Sequence, residues 1–552
     1  MNVATEPLAT ALASRAAATP DRVAVHVPLR RRFGGPRDYA AYTYRDLDRR
    51  ADALARGFLS AGLVPGERVA VLVKPSFDLF ALVFGLFRAG LAPVLVDPGI
   101  GAAHMGKCLD EAAPVALVGI PAAVAASRAL SWAARTVRLR VVTSGYFPGA
   151  ASLDDIARGG ASGALPDVAM ADTAAIVFTS GSTGPPKGVV YTHHHFSAQV
   201  ALLQAAFGFE EGEIDLPTFP LFALFDPALG MTTVLPYMDA TRPGAVDPDE
   251  IFGPIRRFEV TNLFGSPALL ERIGRSSLAP WTRLPSLLRV ISAGAPVPAS
   301  VIARIVPMLR EGVEVFTPYG ATEALPVALV GSTTILTETS DLTDRGAGVC
   351  IGKPVRGITV ALLEVSDDAI EARFGGDEVP RGAVGEITVN GPNVTAVYLN
   401  RPEATKLAKI PGKHEGVWHR MGDLGRFDSH GRLWFYGRKS HRVVTAEGTL
   451  YTDPTEGIFN THPDVRRTAL VGVRGEAVLC IELERDRGRG RRHDELRREL
   501  LAIGAAHDVS RPVVTLLFHP GFPVDIRHNS KIVREKLAVW AANELPPRAG
   551  PR

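Results

Sequence analysis

Apolar positions along this chain recur at two alternating periods, one helical and one extended. Asp46–Gly62 (DLDRRADALARGFLSAG) repeats its apolar positions at helical spacing, and Arg68–Lys74 (RVAVLVK) reads as a strand. Phe77–Ala89 predicts a second helix and Ala92–Val96 a second strand. The window Phe77–Val96 (FDLFALVFGLFRAGLAPVLV) invites a membrane reading, but Asp78, Arg88, Gly90 and Pro93 divide it into two elements, each short for spanning. Helix and strand alternate in this way through most of the chain, which predicts α/β layers with parallel sheets. The Gly/Ala/Ser/Pro-rich stretch Gly145–Val168 reads as a connector. Further on, Gly385–Asn390 (GEITVN) and Gly431–Tyr436 (GRLWFY) read as strands of a β-rich segment, interrupted at Gly437–Ser440. Beyond it lies enough α/β sequence for a small domain. The boundary is placed between residues 437 and 438.

Composition adds little and excludes some classes. The chain has 552 residues, too many for one ordinary core, with 46% apolar and 22% charged positions. A net charge of +3 gives no general attraction to nucleic acid. The basic stretch Arg485–Arg498 (RDRGRGRRHDELRR) reads as a solvated segment leading into a helix. Three widely separated cysteines, Cys108, Cys350 and Cys480, form neither a disulfide framework nor a metal site, which points to a reducing, cytoplasmic compartment. The first residues lack the apolar core of a signal peptide, and no transmembrane segment is expected.

The chemistry gathers around Phe178–Gly188, FTSGSTGPPKG. Ala174–Phe178 reads as a buried strand running into a loop rich in glycine and hydroxyl groups. Gly181 and Gly184 allow close backbone approach to phosphate oxygens; Thr179, Ser180, Ser182 and Thr183 add donors and Lys187 a charge. Walker A spacing fails, because Pro186 stands where its second glycine belongs. By itself the stretch suits a surface turn as well as a phosphate cradle. The cluster Gly99–His104 fails the dinucleotide fingerprint and reads as a turn.

Several further stretches occur in order: TSGSTGPPKGVVYTH (179–193), ISAGAPV (291–297), YGATE (319–323), GEITVNGP (385–392), MGDLG (421–425), GRKSHRV (437–443) and NSKIVREKL (529–537). Together they resemble the AMP-forming superfamily of acyl- and aryl-CoA synthetases, peptide-synthetase adenylation domains and luciferases, from about Tyr44 to Leu537. The resemblance implies a large N-terminal adenylating domain (1–437) of layered sheets and helices with a β-rich subdomain. A small mobile α/β C-terminal domain (438–552) would follow. It implies ATP and Mg2+ as cofactors and a carboxylate joined to the α-phosphate with loss of pyrophosphate. Thr179, Ser180, Gly181, Ser182, Thr183, Gly184 and Lys187 would grip the β- and γ-phosphates. Gly294, Ala295 and Pro296 would lie against adenine, with Tyr319 on its other face and Gly320, Ala321 and Thr322 beside it. Glu323, with Thr183, would hold Mg2+; Asp423 would take the ribose hydroxyls and Arg438 the ribose or phosphate. Lys531 would bridge the attacking carboxylate and the α-phosphate; Ser530 stands where the family has glycine.

The acid's pocket is less legible. The apolar stretch Pro220–Gly230 (PLFALFDPALG), with Met231 and Leu235, suits either core packing or a greasy tunnel; by resemblance Phe222, Phe225, Asp226, Gly230 and His193 would line it. Of His193, His194 and His195, packing roles are the common outcome. The hinge position falls on Ser440, and the stretch 441–457 departs from the family's glycine-containing segment beside the thiol channel, which puts coenzyme A use in doubt. The whole combination resembles the β-lactone synthetases of bacterial long-chain olefin biosynthesis. That implies a long-chain 2-alkyl-3-hydroxy acid as substrate, closed to a β-lactone by its own hydroxyl, and other olefin-pathway enzymes as partners. A long-chain acyl-CoA ligase and an inactive adenylate-binding scaffold stand as alternatives.

Overall fold

In the computed structural model the two periods sort into three main sheets with helices packed between and around them. The structure describes residues 6–31, 37–160, 163–179, 185–372, 376–412, 416–484, 493–524 and 532–546. Ser180, Gly181, Ser182, Thr183, Gly184 and Lys531 therefore lie outside the described residues, as do residues 485–492 of the basic stretch.

The seven-stranded sheet is built from the alternating segments near the N-terminus. Arg68–Leu72, Ala92–Val96, Ala116–Gly119, Leu139–Val142 and Thr173–Phe178 run parallel, and Gly188–Thr192 returns antiparallel to Thr173–Phe178. Their crossovers are helices with strong start signals. Tyr44–Ser60 opens with a capping box, Thr43 accepting from the Asp46 backbone and Asp46 accepting from that of Thr43. Phe77–Arg88 is capped by Ser76 and buries Leu79 to Phe87 almost without interruption, so it is a core helix. No described helix is long and apolar enough to cross a membrane.

The predicted connector is not structureless. Within Gly145–Val168 the chain forms the short strand Ala151–Ser152 and the helix Leu153–Arg158, started by a Ser152/Asp155 capping box. That Ser-x-x-Asp signal was present in the sequence, hidden by the small residues around it. Likewise only Pro98–Ile100 of the second glycine cluster is a turn of 3-10 helix; from Ala102 the chain is already helical.

The largest sheet has fourteen strands. Val23–Pro28, Thr232–Val234, Ile214–Pro217, Asn262–Phe264, Arg289–Ile291 and Glu314–Ala321 run parallel. The hairpin Glu314–Ala321/Ala324–Gly331 then leads into an antiparallel meander that includes Gly385–Asn390, Val417–Phe427 and Leu433–Arg438. The expected β-rich segment is thus a continuation of the parallel sheet. The third sheet, Val465–Val473, Glu476–Leu483 and Thr515–Phe518, carries helices Thr452–Phe459, His493–Ala505 and Arg534–Glu544. The junction with the large sheet is tight at Gly437, whose φ is +115°; a Cβ there would fall 2.0 Å from Thr452 Oγ1. Only glycine lets the strand end and the helix start approach so closely.

Candidate active site

Loops rise from the carboxyl ends of the parallel strands, where open α/β sheets hold their ligands. Pro217 pairs with Phe264, Phe264 with Ile291 and Ile291 with Phe316, so the segments that follow these residues emerge side by side. Gly294, at φ +101°, and Pro296 are exposed and Ala295 half-buried in the turn after Arg289–Ile291. Tyr319, Gly320 and Ala321 finish the next strand, and Thr322 and Glu323 form the two-residue link to its antiparallel partner.

Two carboxylates anchor this crevice. Asp423 is buried and lies opposite Arg438 in the strand pair Val417–Phe427/Leu433–Arg438. Arg438 Nη1 stands 3.0 Å from Asp423 Oδ1, and the Tyr319 hydroxyl donates to Asp423 Oδ2 at 2.6 Å. Burial first, then the Asp423 charge, pushes the Tyr319 phenol well above its usual range, while Asp423 raises Arg438. Tyr319 is therefore a neutral donor and Arg438 a permanent cation.

Glu323 is the second. Tyr398 donates its hydroxyl to Glu323 Oε1 at 2.6 Å, and Thr395 donates its N–H to the Glu323 carbonyl at 3.0 Å. Tyr191 donates its hydroxyl to the Thr322 carbonyl. Lys187 Nζ lies 5.0 Å from the centroid of the Tyr398 ring, and Lys409 Nζ lies 5.8 Å from it. Thr179 N–H donates to the Lys187 carbonyl at 3.0 Å, closing the root of the glycine-rich loop on the hairpin Thr173–Phe178/Gly188–Thr192. Lys187, Glu323, Tyr319, Asp423 and Arg438, read from four separate stretches, are thus linked through Tyr398 and the two strand pairs. Tyr191 lies inside the quoted stretch 179–193 without a role of its own, and Thr395, Tyr398 and Lys409 carried no signal beyond ordinary aromatic and polar types. A cavity of about 920 Å3 has Tyr398 and Lys409 in its wall but neither Glu323 nor Asp423. The crevice follows from strand ends and polar groups, not from that hollow.

The segment Pro220–Gly230 folds as two one-turn helices, Pro220–Ala223 and Asp226–Leu229, closed by Gly230 at φ +74°. Phe222 stacks on Phe264 at 4.3 Å between centroids, at the carboxyl edge of the large sheet. Phe225 meets Phe196, which meets Phe87, whose ring packs edge-on against His193. His193 is buried with Nδ1 unpartnered among the described residues, and burial drops it to about 4, so it is neutral. His195 caps its own helix, accepting from the Thr192 backbone at 2.9 Å.

Asp226 is held on the core side of this segment. It accepts from Thr233 Oγ1 at 2.7 Å and is raised to about 7 by burial; Asp215 beside it is raised well above the usual range, by burial and then by Asp226. A carboxyl raised on folding binds protons more tightly in the folded state. Its contribution to stability is full below the usual carboxylate range and is lost as pH rises to about 7. Asp226→Asn should therefore flatten the fall in urea midpoint between pH 5 and pH 8. An unchanged slope would show that Asp226 does not titrate there.

Ser440 is exposed between two tethered neighbours. Lys439 Nζ donates to Ser366 O at 2.6 Å and contacts buried Glu386 at 3.2 Å, while Arg442 pairs with Asp367 at 2.7 Å. His441 reaches Glu535 at 3.3 Å.

The crevice offers a hard oxygen donor in the Glu323 carboxylate, held by Tyr398. No group of three His, Cys, Asp or Glu converges on a metal position among the described residues. This donor fits Mg2+, a hard cation that takes most of its ligands from phosphate and water. Residues 12–399 match the model of a family described as AMP-binding enzyme. The chain belongs to that family. Among curated AMP-binding relatives, the olefin beta-lactone synthetase of Xanthomonas campestris pv. campestris is 48% identical over 549 residues, covering 97% of this chain and 98% of that protein. The olefin beta-lactone synthetase of Stenotrophomonas maltophilia is 47% identical, with 98% and 99% covered. The amide bond synthetase McbA of Marinactinospora thermotolerans superposes with a TM-score of 0.77 at 24% identity, covering 97% of this chain and 99% of that one. At that identity the likeness carries the family fold alone.

Proposed function

We propose that this enzyme converts a long-chain 2-alkyl-3-hydroxy acid to a β-lactone in olefin biosynthesis, consuming ATP and releasing pyrophosphate and AMP. The observation that carries this reading is near-half identity, over almost the whole chain, to two olefin beta-lactone synthetases. Feruloyl-CoA synthase of Amycolatopsis sp, by contrast, is 30% identical over 447 residues.

In the first step a substrate carboxylate oxygen attacks the α-phosphorus and the bond to the β-phosphate breaks. Lys187 and the glycine-rich loop hold the leaving phosphates, Asp423 and Arg438 hold the ribose, and Tyr319 lies against adenine. Glu323 and Thr183 would hold Mg2+, which would supply neutralisation of the phosphate charge. Residues 438–552 bring Lys531 to the α-phosphate by turning about Ser440, and 1–437 bind both substrates. In the second step the 3-hydroxyl attacks the activated carbonyl, AMP leaves and the hydroxyl proton passes to solvent. That nucleophile is already tethered to the carbonyl, so proximity replaces an external thiol. Phe222, Phe225, Gly230 and His193 belong to the acyl side of the site, whose aromatic walls suit alkyl chains, with Asp226 behind them on the core side. Location in the cytoplasm and transfer to other olefin-pathway enzymes complete the reading.

Incubation with a 2-alkyl-3-hydroxy acid, ATP and Mg2+ should yield lactone and AMP equally with and without coenzyme A. Mass spectrometry that finds only a thioester, formed only with coenzyme A, would assign the chain to acyl-CoA ligation instead.

A further inference from the structure

Lys409 opens the short strand Lys409–Pro411 after helix Pro402–Ala408 and belongs to none of the motifs described above. It is a lysine where burial is costly. The residue is 6% exposed, and among the described residues the one hydrogen-bond partner of its ammonium is Thr395 Oγ1, at 3.2 Å. Burying an ammonium with so few partners is unfavourable unless a nearby charge offsets it, and the opposing charge it feels is Glu323.

The direction of its hydrogen bond matters. An ammonium has three donors and no acceptor, so it must donate to the Thr395 oxygen. The Thr395 proton is then free to point to the Glu323 carbonyl, 3.2 Å from the same oxygen, in addition to the backbone bond that Thr395 makes there. Lys409 also lies near the ring of Tyr398, the side chain that donates to the Glu323 carboxylate. It therefore bonds the group that holds the Glu323 backbone and lies 5.8 Å from the ring centroid of the one that holds its carboxylate. Its strand pairs Lys409 with His419, and His419 is on the strand that carries Asp423, so the lysine is also rooted in the wall of the ribose corner.

We propose that Lys409 is a positioning residue of the adenylation site. It fixes Thr395 and Tyr398, and through them it presents the Glu323 carboxylate to the cation that accompanies ATP. The inference rests on the assignment of Glu323 as the cation's protein ligand.

Two measurements separate this from a purely structural role: thermal melting without ligand, and binding of Mn2+ in the presence of α,β-methylene-ATP, by equilibrium dialysis without turnover. Both are made at pH 6.5, because burial pulls the Lys409 amine down to about 7 and it must carry its proton. Lys409→Met should melt near the parent temperature, since the change removes one 3.2 Å hydrogen bond together with the desolvation cost of a buried ammonium. Its Mn2+ affinity should nevertheless fall about tenfold, as for other groups that orient a metal ligand. Thr395→Val should shift affinity in the same direction by less. Glu323→Gln serves as the reference. If it leaves Mn2+ affinity unchanged, the assignment of Glu323 fails and the role of Lys409 with it. If Glu323→Gln weakens Mn2+ while folded Lys409→Met and Thr395→Val do not, the Lys409 proposal alone is overturned. Should Lys409→Met fail to fold, Thr395→Val decides.

Discussion

Asp423→Ala should raise the ATP concentration for half-maximal adenylate formation at least tenfold and destabilise the fold by about 2 kcal/mol. The stability effect comes from the geometry around the carboxylate. The carboxylate is buried, with Arg438 at 3.0 Å on one oxygen and the Tyr319 hydroxyl at 2.6 Å on the other. Removing it strands a guanidinium and a phenol that were arranged around it. A fully buried pair loses about 3–5 kcal/mol when one partner is cut away. Arg438 retains 32% side-chain exposure, so water recovers part of that loss. The effect on ATP would have a separate origin, loss of the proposed acceptor for the ribose hydroxyls. Asp423→Asn separates the two, because it keeps an acceptor near Tyr319 and loses the charge. It should regain much of the stability and less of the affinity. Pyrophosphate exchange at graded ATP, with urea unfolding of the same samples, reads both. An ATP KM for Asp423→Ala within twofold of the parent would remove Asp423 from the nucleotide site.

The site was legible where chemistry and local chain geometry coincide. A glycine-rich loop must follow a strand, and Thr173–Phe178 delivers it. Glu323 within YGATE falls in a tight hairpin link, and Asp423 and Arg438, read from separate motifs, turn out to be cross-strand partners. What stayed hidden is what holds those groups. Tyr398 bonds Glu323 across 75 residues of sequence, and Thr395 does so across 72. No periodicity or spacing rule links such distant positions, and a tyrosine or threonine in a polar stretch looks like any other. Lys409 is harder still, since a lysine after an exposed helix reads as solvated; only the antiparallel pairing with Val417–Phe427 buries it.

The fold shows the same division. Periodicity located Phe77–Arg88 and Ala92–Val96 to within a residue, because a buried helix and strand carry dense apolar patterns. It missed Leu153–Arg158, where a six-residue helix packs on Tyr44–Ser60 and is too short to display a period. Asp226 shows the limit of segment-level reading. Its neighbours Phe222 and Phe225 join the aromatic cluster, while Asp226 itself bonds Thr233 beside Asp215 in the core.

The largest kinetic effect is expected from Lys531→Ala, a 10²–10³-fold loss in adenylate formation with little change in melting temperature. As the carboxylate attacks, negative charge gathers on the α-phosphate oxygens and the leaving pyrophosphate. In the proposed site Lys187 faces the β- and γ-phosphates and Glu323 the cation beside them, so a positive charge on the attacking side must come from elsewhere. The neighbours of Lys531 show how its segment is rooted. Ile532 bridges Val524, and Arg534 is clamped by Glu456 at 2.5 and 2.9 Å at the start of helix Arg534–Glu544. That buried pair ties the lysine's chain to helix Thr452–Phe459, which abuts Gly437 at the domain junction. On the proposed turn about Ser440 the lysine would move with residues 438–552, and its removal should cost rate without loosening the described core. Lys531→Arg keeps the charge with a different reach and should recover only part of the loss. A Lys531→Ala chain that exchanges pyrophosphate within threefold of the parent would mean that another cation completes the site.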